Sequence, residues 1–226
     1  MNRYKALFFD VDDTLLDFRA AERAALQMLF AAQGLPLTEQ AEREYKRING
    51  ELWQAFEAGK MSRDQVVNTR FARLLPGADG VLLEREYRSF LETGHQLMPG
   101  ALELIQDLHQ QQYDLYIVTN GVSKTQDIRL RNSGLLPYFK GVFVSEDTGY
   151  QKPMPEFFAH VFARMDGFSA EQGLIIGDSL SADIQGGAWA GLDTCWFNPL
   201  GKQNGSGIVP TFEIDRLDAL KGCLGT

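Results

Sequence analysis

The stretch "ALFFDVDDTLLDF", Ala6–Phe18, places three aspartates directly behind an apolar run. A short apolar run of this kind is typical of a strand that is buried on both faces of a parallel sheet. Asp10, Asp12 and Asp13 follow within four positions, and carboxylates so close together repel each other and cost free energy to desolvate. Such a strand end raises the question of which of the three acids has a chemical role.

Further apolar runs along the chain have the same form, since each ends in polar residues or glycine. They are Tyr113–Gly121, Gly141–Asp147, Gly173–Ser179 and Asp193–Pro199. Helix-like segments lie between them, and one of these begins at Pro99. Alternating strands and helices predict an α/β fold with a doubly wound, mainly parallel sheet.

The region from residue 17 to residue 95 interrupts this alternation, because it contains amphipathic helical patterns and no convincing strand. The predicted helices are Arg19–Ala32, Thr38–Ala58, Ser62–Leu75 and Leu82–Thr93. Ser62 and Gln65 have the spacing of a capping box, and so do Ser169 and Gln172. We therefore expect two domains: an α/β core formed by residues 1–16 and 96–226, and an inserted helical domain formed by residues 17–95.

Bulk composition narrows the class of protein. A chain of 226 residues with 44% hydrophobic and 23% charged residues is ordinary for a soluble globular protein. The net charge of -8 argues against nucleic acid or an anionic membrane as the main partner, but a few local donors and a metal can still hold a small anion. Only Met1–Lys5 precede the first predicted strand, so we expect no signal peptide and a cytoplasmic location.

The cysteine content indicates no disulfide framework, because the sequence contains only Cys195 and Cys223. Cys195 lies in a strand-like apolar stretch. We predict that it is a buried thiol rather than a reactive one.

Side chains with chemical potential lie at the ends of the predicted strands, where ligands bind in a doubly wound sheet. They are Asp10 and Asp12 after the first strand, Thr119 and Asn120 after the second, Lys152 after the third, and Asp178 and Asp183 after the fourth. Four carboxylates that converge with one lysine would repel each other without a cation. Oxygen ligands suit Mg²⁺ that shares its coordination with a phosphate. The pattern predicts a metal-assisted phosphate site.

Each of these residues also has an ordinary structural interpretation. An aspartate at a strand end is commonly a helix N-cap or a turn residue, Thr119 and Asn120 fit a simple turn, and a lone Lys152 fits a solvated surface. Their joint occurrence, in order and each behind an apolar run, favours the site.

Four short motifs in this order resemble those of the haloacid dehalogenase superfamily. "DVDDTLL" is similar to motif one, "VTNG" to motif two, "QKP" to motif three and "GDSLSAD" to motif four. The resemblance implies a Rossmann-like catalytic core, with the helical insertion of residues 17–95 as its cap domain. Asp13 departs from the glycine that many members have, but aspartate tolerates unusual backbone angles.

The resemblance implies that the two outer acids of motif one share the reaction. Asp10 would attack phosphorus and form an aspartyl-phosphate, while Asp12 would protonate the leaving alkoxide and then activate water. Asp10 and the backbone carbonyl of Asp12 would also bind Mg²⁺, for which Mn²⁺ could substitute. A departing halide needs no proton, so Asp12 favours phosphate ester hydrolysis over carbon–halogen cleavage.

The other motifs would complete the site. The resemblance implies that Thr119 and the backbone of Asn120 hold the phosphoryl oxygens and that Lys152 neutralises charge between nucleophile and phosphate. Asp178 would be a further metal ligand, and Asp183 would orient the surroundings of the metal.

Substrate choice is expected to depend on the insertion. Its segments "LWQAFEAGKMS" and "TRF", with "RLRNSGLLPYF" and "SEDTGYQKPMPEFF" outside it, are similar to bacterial pyrimidine 5′-nucleotidases that have a helical cap. That resemblance implies hydrolysis of deoxyuridine, thymidine, uridine and modified pyrimidine monophosphates. Trp53 could stack on the base and Phe18 could form a second wall, although packing inside the cap explains Trp53 equally well. Arg70 fits an ion pair within the cap as well as a ligand contact.

Other functions remain open at this point. A phosphatase of another small metabolite, such as a sugar phosphate or phosphoglycolate, would share the motifs, and motif one is compatible with a phosphomutase. A non-catalytic phosphate-binding protein would be expected to lack a motif residue, and none is missing. The sequence is compatible with a monomer or a homodimer.

Overall fold

The structure is a computed structural model that describes residues 3–225. Met1, Asn2 and Thr226 lie outside the described residues. All three belong to the predicted α/β core, and Met1 and Asn2 also belong to the segment before the first predicted strand. The described chain separates into two compact units. We call residues 3–17 with 96–225 the α/β unit and residues 18–95 the helical unit.

One parallel sheet of six strands forms the centre of the α/β unit within residues 3–225, with the order β3-β2-β1-β4-β5-β6. The strands are β1 (Ala6–Phe9), β2 (Asp114–Thr119), β3 (Gly141–Val144), β4 (Gly173–Gly177), β5 (Asp193–Phe197) and β6 (Phe212–Ile214). The chain winds outward from β1 on one side and from β4 on the other, which confirms the predicted doubly wound sheet. The sequence did not predict β6, because this strand is only three residues long and contains Glu213.

The helices fall into two sets: the first four along the chain form the helical unit, and the others belong to the α/β unit with the sheet. They are α1 (Phe18–Ala32), α2 (Glu39–Glu57), α3 (Arg63–Leu74), α4 (Gly80–Leu91), α5 (Ala101–Gln110), α6 (Ser123–Asn132), α7 (Ser145–Thr148), α8 (Pro155–Phe162), α9 (Gly186–Trp189) and α10 (Leu220–Leu224). Each predicted helix of the insertion is present, with ends shifted by two residues or fewer. None of the helices within residues 3–225 combines the length and the apolar composition that crossing a bilayer requires.

The two predicted capping boxes have different outcomes. Ser62 accepts a hydrogen bond from the backbone of Gln65, whose side chain accepts one from the Ser62 backbone, so this box is formed at the start of α3. The predicted box at Ser169 is wrong. A 3₁₀ turn of only three residues, Ala170–Gln172, follows Ser169, and the Ser169 side chain makes no capping hydrogen bond.

Strand β1 is buried on both faces, which explains its unbroken apolar sequence. Leu7 and Phe9 point into the core that includes α5, whereas Phe8 points into the opposite core that includes α8. The backbone N–H of Asp10 then donates to the carbonyl of Ile176 in β4 (3.0 Å). This hydrogen bond to the neighbouring strand fixes the backbone of Asp10 at the end of β1.

A buried ion pair lies in the core of the helical unit. Arg70 donates two hydrogen bonds to Glu84, with Nε–Oε2 and Nη2–Oε1 distances of 2.7 and 2.8 Å, and the Arg70 guanidinium lies over the ring of Tyr87. Both members of the pair are buried. Of the two interpretations of Arg70 from the sequence, the structure shows the ion pair.

Candidate active site

Within the described chain, three carboxylates meet at the carboxyl ends of β1 and β4. Asp10 directly follows β1, Asp178 directly follows β4, and Asp183 lies in the π-helical segment Leu180–Gln185. Each offers an oxygen atom, and these atoms lie within 4.8 Å of one another. The two strands are parallel neighbours in the sheet, so their carboxyl ends bring residues 168 positions apart in sequence to one edge.

The ammonium group of Lys152 lies among these acids. Lys152 Nζ donates to Oδ1 of Asp10 (2.8 Å), to Oδ1 of Asp183 (2.6 Å) and to the carbonyl of Val118 at the end of β2 (2.7 Å). The lysine is only 1% exposed. Burial by itself lowers the pKa of Lys152, but the charges and hydrogen bonds of the two aspartates outweigh burial and raise it. Lys152 is therefore a permanent cation in this cluster.

Negative charge still exceeds positive charge at this edge of the sheet. Burial raises the pKa of Asp10 well above its ordinary value, and Lys152 opposes that effect while Asp183 adds to it. Burial also raises the pKa of Asp178 to about 6, again helped by Asp183 and opposed by Lys202. Clustered carboxylate oxygens with an unmet demand for positive charge fit a hard divalent cation such as Mg²⁺.

The segment after β2 positions Lys152. The Asn120 side chain donates to the Lys152 carbonyl and accepts from the Lys152 N–H, both at 2.9 Å. Thr119 is buried, and its hydroxyl oxygen accepts a hydrogen bond from the N–H of Gly121 (3.2 Å). The Asn120 side chain thus holds the Lys152 backbone through a pair of hydrogen bonds, one donated and one accepted.

Asp12 lies beside two side chains that the sequence did not single out. Gln126 Nε2 donates to Oδ2 of Asp12 (2.8 Å) and to the Thr119 hydroxyl oxygen (3.0 Å). Arg129 Nη1 donates to the other oxygen of Asp12 and to Oε1 of Gln126 (3.1 Å from Gln126). Both donors belong to α6, the helix that follows motif two.

A family profile described as haloacid dehalogenase-like hydrolase matches residues 4–191 of this chain. The chain belongs to the haloacid dehalogenase-like hydrolases. It is therefore an enzyme, and the resemblance inferred from the four motifs is confirmed.

Relatives of this hydrolase match it over almost their full length. The chain is 62% identical to YfnB of Bacillus subtilis over 224 residues, covering 97% of this chain and 95% of YfnB. A crystal structure of YfnB bound to magnesium superposes with a TM-score of 0.94, at 61% identity, covering 99% of this chain and 100% of the other.

Two named nucleotidases are also similar to this hydrolase. The pyrimidine 5′-nucleotidase PynA of Streptococcus pneumoniae is 43% identical over 225 residues, covering 98% of this chain and 95% of PynA. The pyrimidine 5′-nucleotidase YjjG of Escherichia coli is 31% identical over 221 residues, covering 96% of each chain.

The two residues predicted to contact a base belong to the helical unit of the hydrolase. Phe18 begins α1 and packs, partly buried, on the cluster that contains Tyr45 and Tyr87. Trp53 of α2 is half-buried, and its ring is nearly perpendicular to that of Phe56, with the ring centroids 5.5 Å apart. Their contact with a ligand stays a prediction.

Asp13 has a backbone role in the hydrolase. Its φ of 59° lies in the left-handed region, which glycine adopts most easily and aspartate better than most residues. Its N–H donates to the carbonyl of Leu16 (2.8 Å) in the turn after β1. This residue therefore serves the turn with a backbone conformation that suits glycine and that aspartate tolerates.

Gln126, Arg129 and Lys202 are the site residues that sequence reasoning missed. Lys202 Nζ lies 3.3 Å from Oδ2 of Asp178, and the side chain of Asn198 holds the Lys202 backbone through two hydrogen bonds. The sequence feature that could have identified Gln126 and Arg129 is their three-residue spacing on the first helix after motif two. No apolar pattern marked that helix face as buried.

Proposed function

We propose that this hydrolase is a phosphomonoesterase that converts pyrimidine nucleoside monophosphates to nucleoside and inorganic phosphate. The observation that carries the proposal is Asp10, fixed after β1 and hydrogen-bonded to the buried Lys152 inside an acidic cluster. Such a group suits nucleophilic attack on a phosphate whose charge is offset locally. The likeness to PynA and YjjG supports pyrimidine nucleotides as the substrate class.

The reaction would proceed in two displacements at phosphorus. A carboxylate oxygen of Asp10 attacks the phosphorus atom, the bond to the sugar oxygen breaks, and the leaving alkoxide takes a proton from Asp12. The Asp12 carboxylate then removes a proton from water, which attacks the aspartyl-phosphate and releases phosphate with Asp10 restored. General acid–base help of this kind contributes about 10²- to 10⁴-fold in rate.

The surrounding residues would stabilise the phosphoryl group. Thr119 and the backbone of Asn120 would donate to its oxygens, and Lys152 would balance the charge between it and Asp10. Bound Mg²⁺, held by Asp10, Asp178 and the carbonyl of Asp12, would supply further charge neutralisation, with Asp183 orienting its surroundings. The need for a proton at the leaving oxygen explains why Asp12 favours an ester over a carbon–halogen bond.

A phosphate-release assay over a substrate panel tests the proposal. The panel contains pyrimidine and purine nucleoside monophosphates, sugar phosphates and phosphoglycolate, each with Mg²⁺ and with EDTA. We expect kcat/KM for thymidine, uridine or deoxyuridine monophosphate to exceed that of every other class by about tenfold or more, which corresponds to about 1.4 kcal/mol. The Asp10→Asn variant, purified identically, controls for contaminating phosphatases.

Two outcomes would contradict different parts of the proposal. Preference for a sugar phosphate or phosphoglycolate would replace the substrate class and leave the chemistry intact. Failure to release phosphate from any ester, with folded protein and Mg²⁺ present, would overturn the phosphatase assignment itself.

A further inference from the structure

We propose that Gln126 and Arg129 are positioning residues that hold the carboxylate of Asp12 in place for proton transfer and connect it to the phosphate-binding Thr119. This inference rests on the proposed function. Its basis is a closed set of hydrogen bonds, because Gln126 reaches Asp12 and Thr119 while Arg129 reaches Asp12 and Gln126. Each oxygen of the Asp12 carboxylate therefore accepts from a different donor.

The position of α6 explains how these donors arrive at Asp12. The helix begins at Ser123, four residues after the end of β2, and β2 is the direct neighbour of β1. Gln126 and Arg129 are three residues apart, so they lie on the same face of the helix. Each is 1% exposed, so this helix face directs polar groups into the protein.

The backbone of motif two is adapted to Gln126. A Cβ atom on Gly121 would lie 2.6 Å from Nε2 of Gln126, closer than two such atoms can approach. A side chain at position 121 would therefore displace the Gln126 amide from its place beside the Thr119 hydroxyl. The glycine of "VTNG" and the glutamine five residues later therefore act together to place the amide beside Thr119.

Energetics favour a functional reason for this arrangement. Burying a guanidinium and an amide costs several kcal/mol unless both are well paired, and an apolar residue could fill the same space without that cost. Here the polar groups are directed at Asp12, whose side chain remains partly exposed. Proton transfer needs donor and acceptor within about 2.6–3.2 Å, so a carboxylate fixed by two donors is preorganised for it.

A positioning role affects only those steps that use Asp12. Expulsion of the sugar alkoxide needs a proton, whereas expulsion of p-nitrophenolate, a weak base, needs little help. Loss of Arg129 should slow the hydrolysis of thymidine monophosphate far more than the first displacement on p-nitrophenyl phosphate. A residue that only stabilises the fold would affect both to the same extent.

The test compares Arg129→Gln, Arg129→Lys and Gln126→Met with wild-type enzyme in the presence of Mg²⁺. The first displacement is measured as single-turnover release of p-nitrophenolate with enzyme in excess. Arg131→Gln is the matched control, because Arg131 is an exposed arginine of the same helix that pairs with Asp127. Thermal unfolding of every variant measures its stability.

We expect Arg129→Gln to lower kcat for thymidine monophosphate by about 10²-fold, with KM and p-nitrophenolate release changed by less than about threefold. Arg129→Lys should recover part of kcat, and Gln126→Met should lower it in the same direction. The control should stay within about twofold of wild type. In an Asp12→Asn background, Arg129→Gln should add less than about threefold, since it acts through Asp12.

Equal losses on both substrates, additive losses with Asp12→Asn, or a faster Arg129→Gln enzyme would overturn the inference. If Arg129→Gln does not fold, Gln126→Met and Arg129→Lys decide by the same comparison. Wild-type enzyme that hydrolyses neither substrate would instead refute the proposed function. Wild-type turnover with insensitive variants would refute only the positioning role.

Discussion

Lys152 Nζ lies 2.8 Å from Oδ1 of Asp10, although the two residues are 142 positions apart in the sequence. The same ammonium lies 2.6 Å from Asp183, so one cation links two buried carboxylates at the edge of the parallel sheet. A nucleophilic aspartate in such a place needs a neighbouring positive charge, both to remain ionised and to receive an anionic phosphate. In the proposed mechanism, the Lys152–Asp10 pair contributes to both the fold and the attack on phosphate.

Removing the Lys152 ammonium group should affect both the stability of the protein and its phosphatase activity. In Lys152→Met, Asp10 and Asp183 lose their buried partner, which should cost about 3–5 kcal/mol of unfolding free energy and lower phosphatase kcat/KM by about 10²-fold or more. Denaturant unfolding and steady-state kinetics measure the two effects. Lys140→Met is the control, because Lys140 is exposed and pairs with Asp114 near the opposite end of β2. Wild-type stability in Lys152→Met would contradict the assigned charge balance.

Metal binding should be visible without any assay of activity. The acidic cluster carries unfavourable charge repulsion that a divalent cation relieves, so Mg²⁺ should raise the melting temperature of the wild-type enzyme. Asp178→Asn should weaken that rise, while Asp166→Asn, which lies outside the cluster, should not. EDTA should abolish phosphate release, and Mg²⁺ should restore it, with Mn²⁺ as a substitute. Full activity after chelation would eliminate the metal from the mechanism.

A substitution at Trp53 distinguishes a role in base recognition from a role in packing within the helical unit. If its indole stacks on the nucleobase, Trp53→Ala should lower kcat/KM for thymidine monophosphate by about tenfold or more and leave p-nitrophenyl phosphate nearly unchanged, because stacking contributes about 1–3 kcal/mol. Trp189→Ala, which removes an exposed tryptophan of the α/β unit, is the control. Equal losses on both substrates would assign Trp53 to the core of the helical unit.

Cys195 should be inert in the folded enzyme. Burial raises its pKa, and only the thiolate reacts with disulfide reagents, so the thiol should stay protonated and inaccessible at mildly alkaline pH. In Cys223→Ser, labelling with an aromatic disulfide should occur only as fast as the protein unfolds. Rapid labelling before unfolding would show that β5 opens locally.

The sequence predicted the parts of the site that follow strands. Asp10 and Asp178 could be placed at one edge because an apolar run marks each strand and parallel strands align their carboxyl ends. Lys152 could be placed there only through the order of motifs, since nothing local shows that its side chain turns inward. Its position depends on two hydrogen bonds between the Asn120 side chain and the Lys152 backbone, one donated by Asn120 and one accepted by it.

The other parts of the site depend on tertiary packing, which no local sequence pattern reveals. Arg129 and Gln126 look like surface residues of a polar helix, and their burial follows from where α6 packs beside β2. Lys202 reaches Asp178 from a loop whose shape is set by Asn198. Strand β6 was missed because three residues carry too little periodicity to be recognised.

In the proposed mechanism, Asp10 becomes phosphorylated during every turnover. The most direct measurement mixes the enzyme with thymidine monophosphate that carries a radiolabelled phosphate, quenches with acid, reduces the acyl-phosphate with borohydride and locates the altered residue by peptide mass mapping. We predict label on the protein and reduction at Asp10, with neither in Asp10→Asn. Active enzyme that carries its label on another residue, or that shows no label at any quench time, would contradict the account.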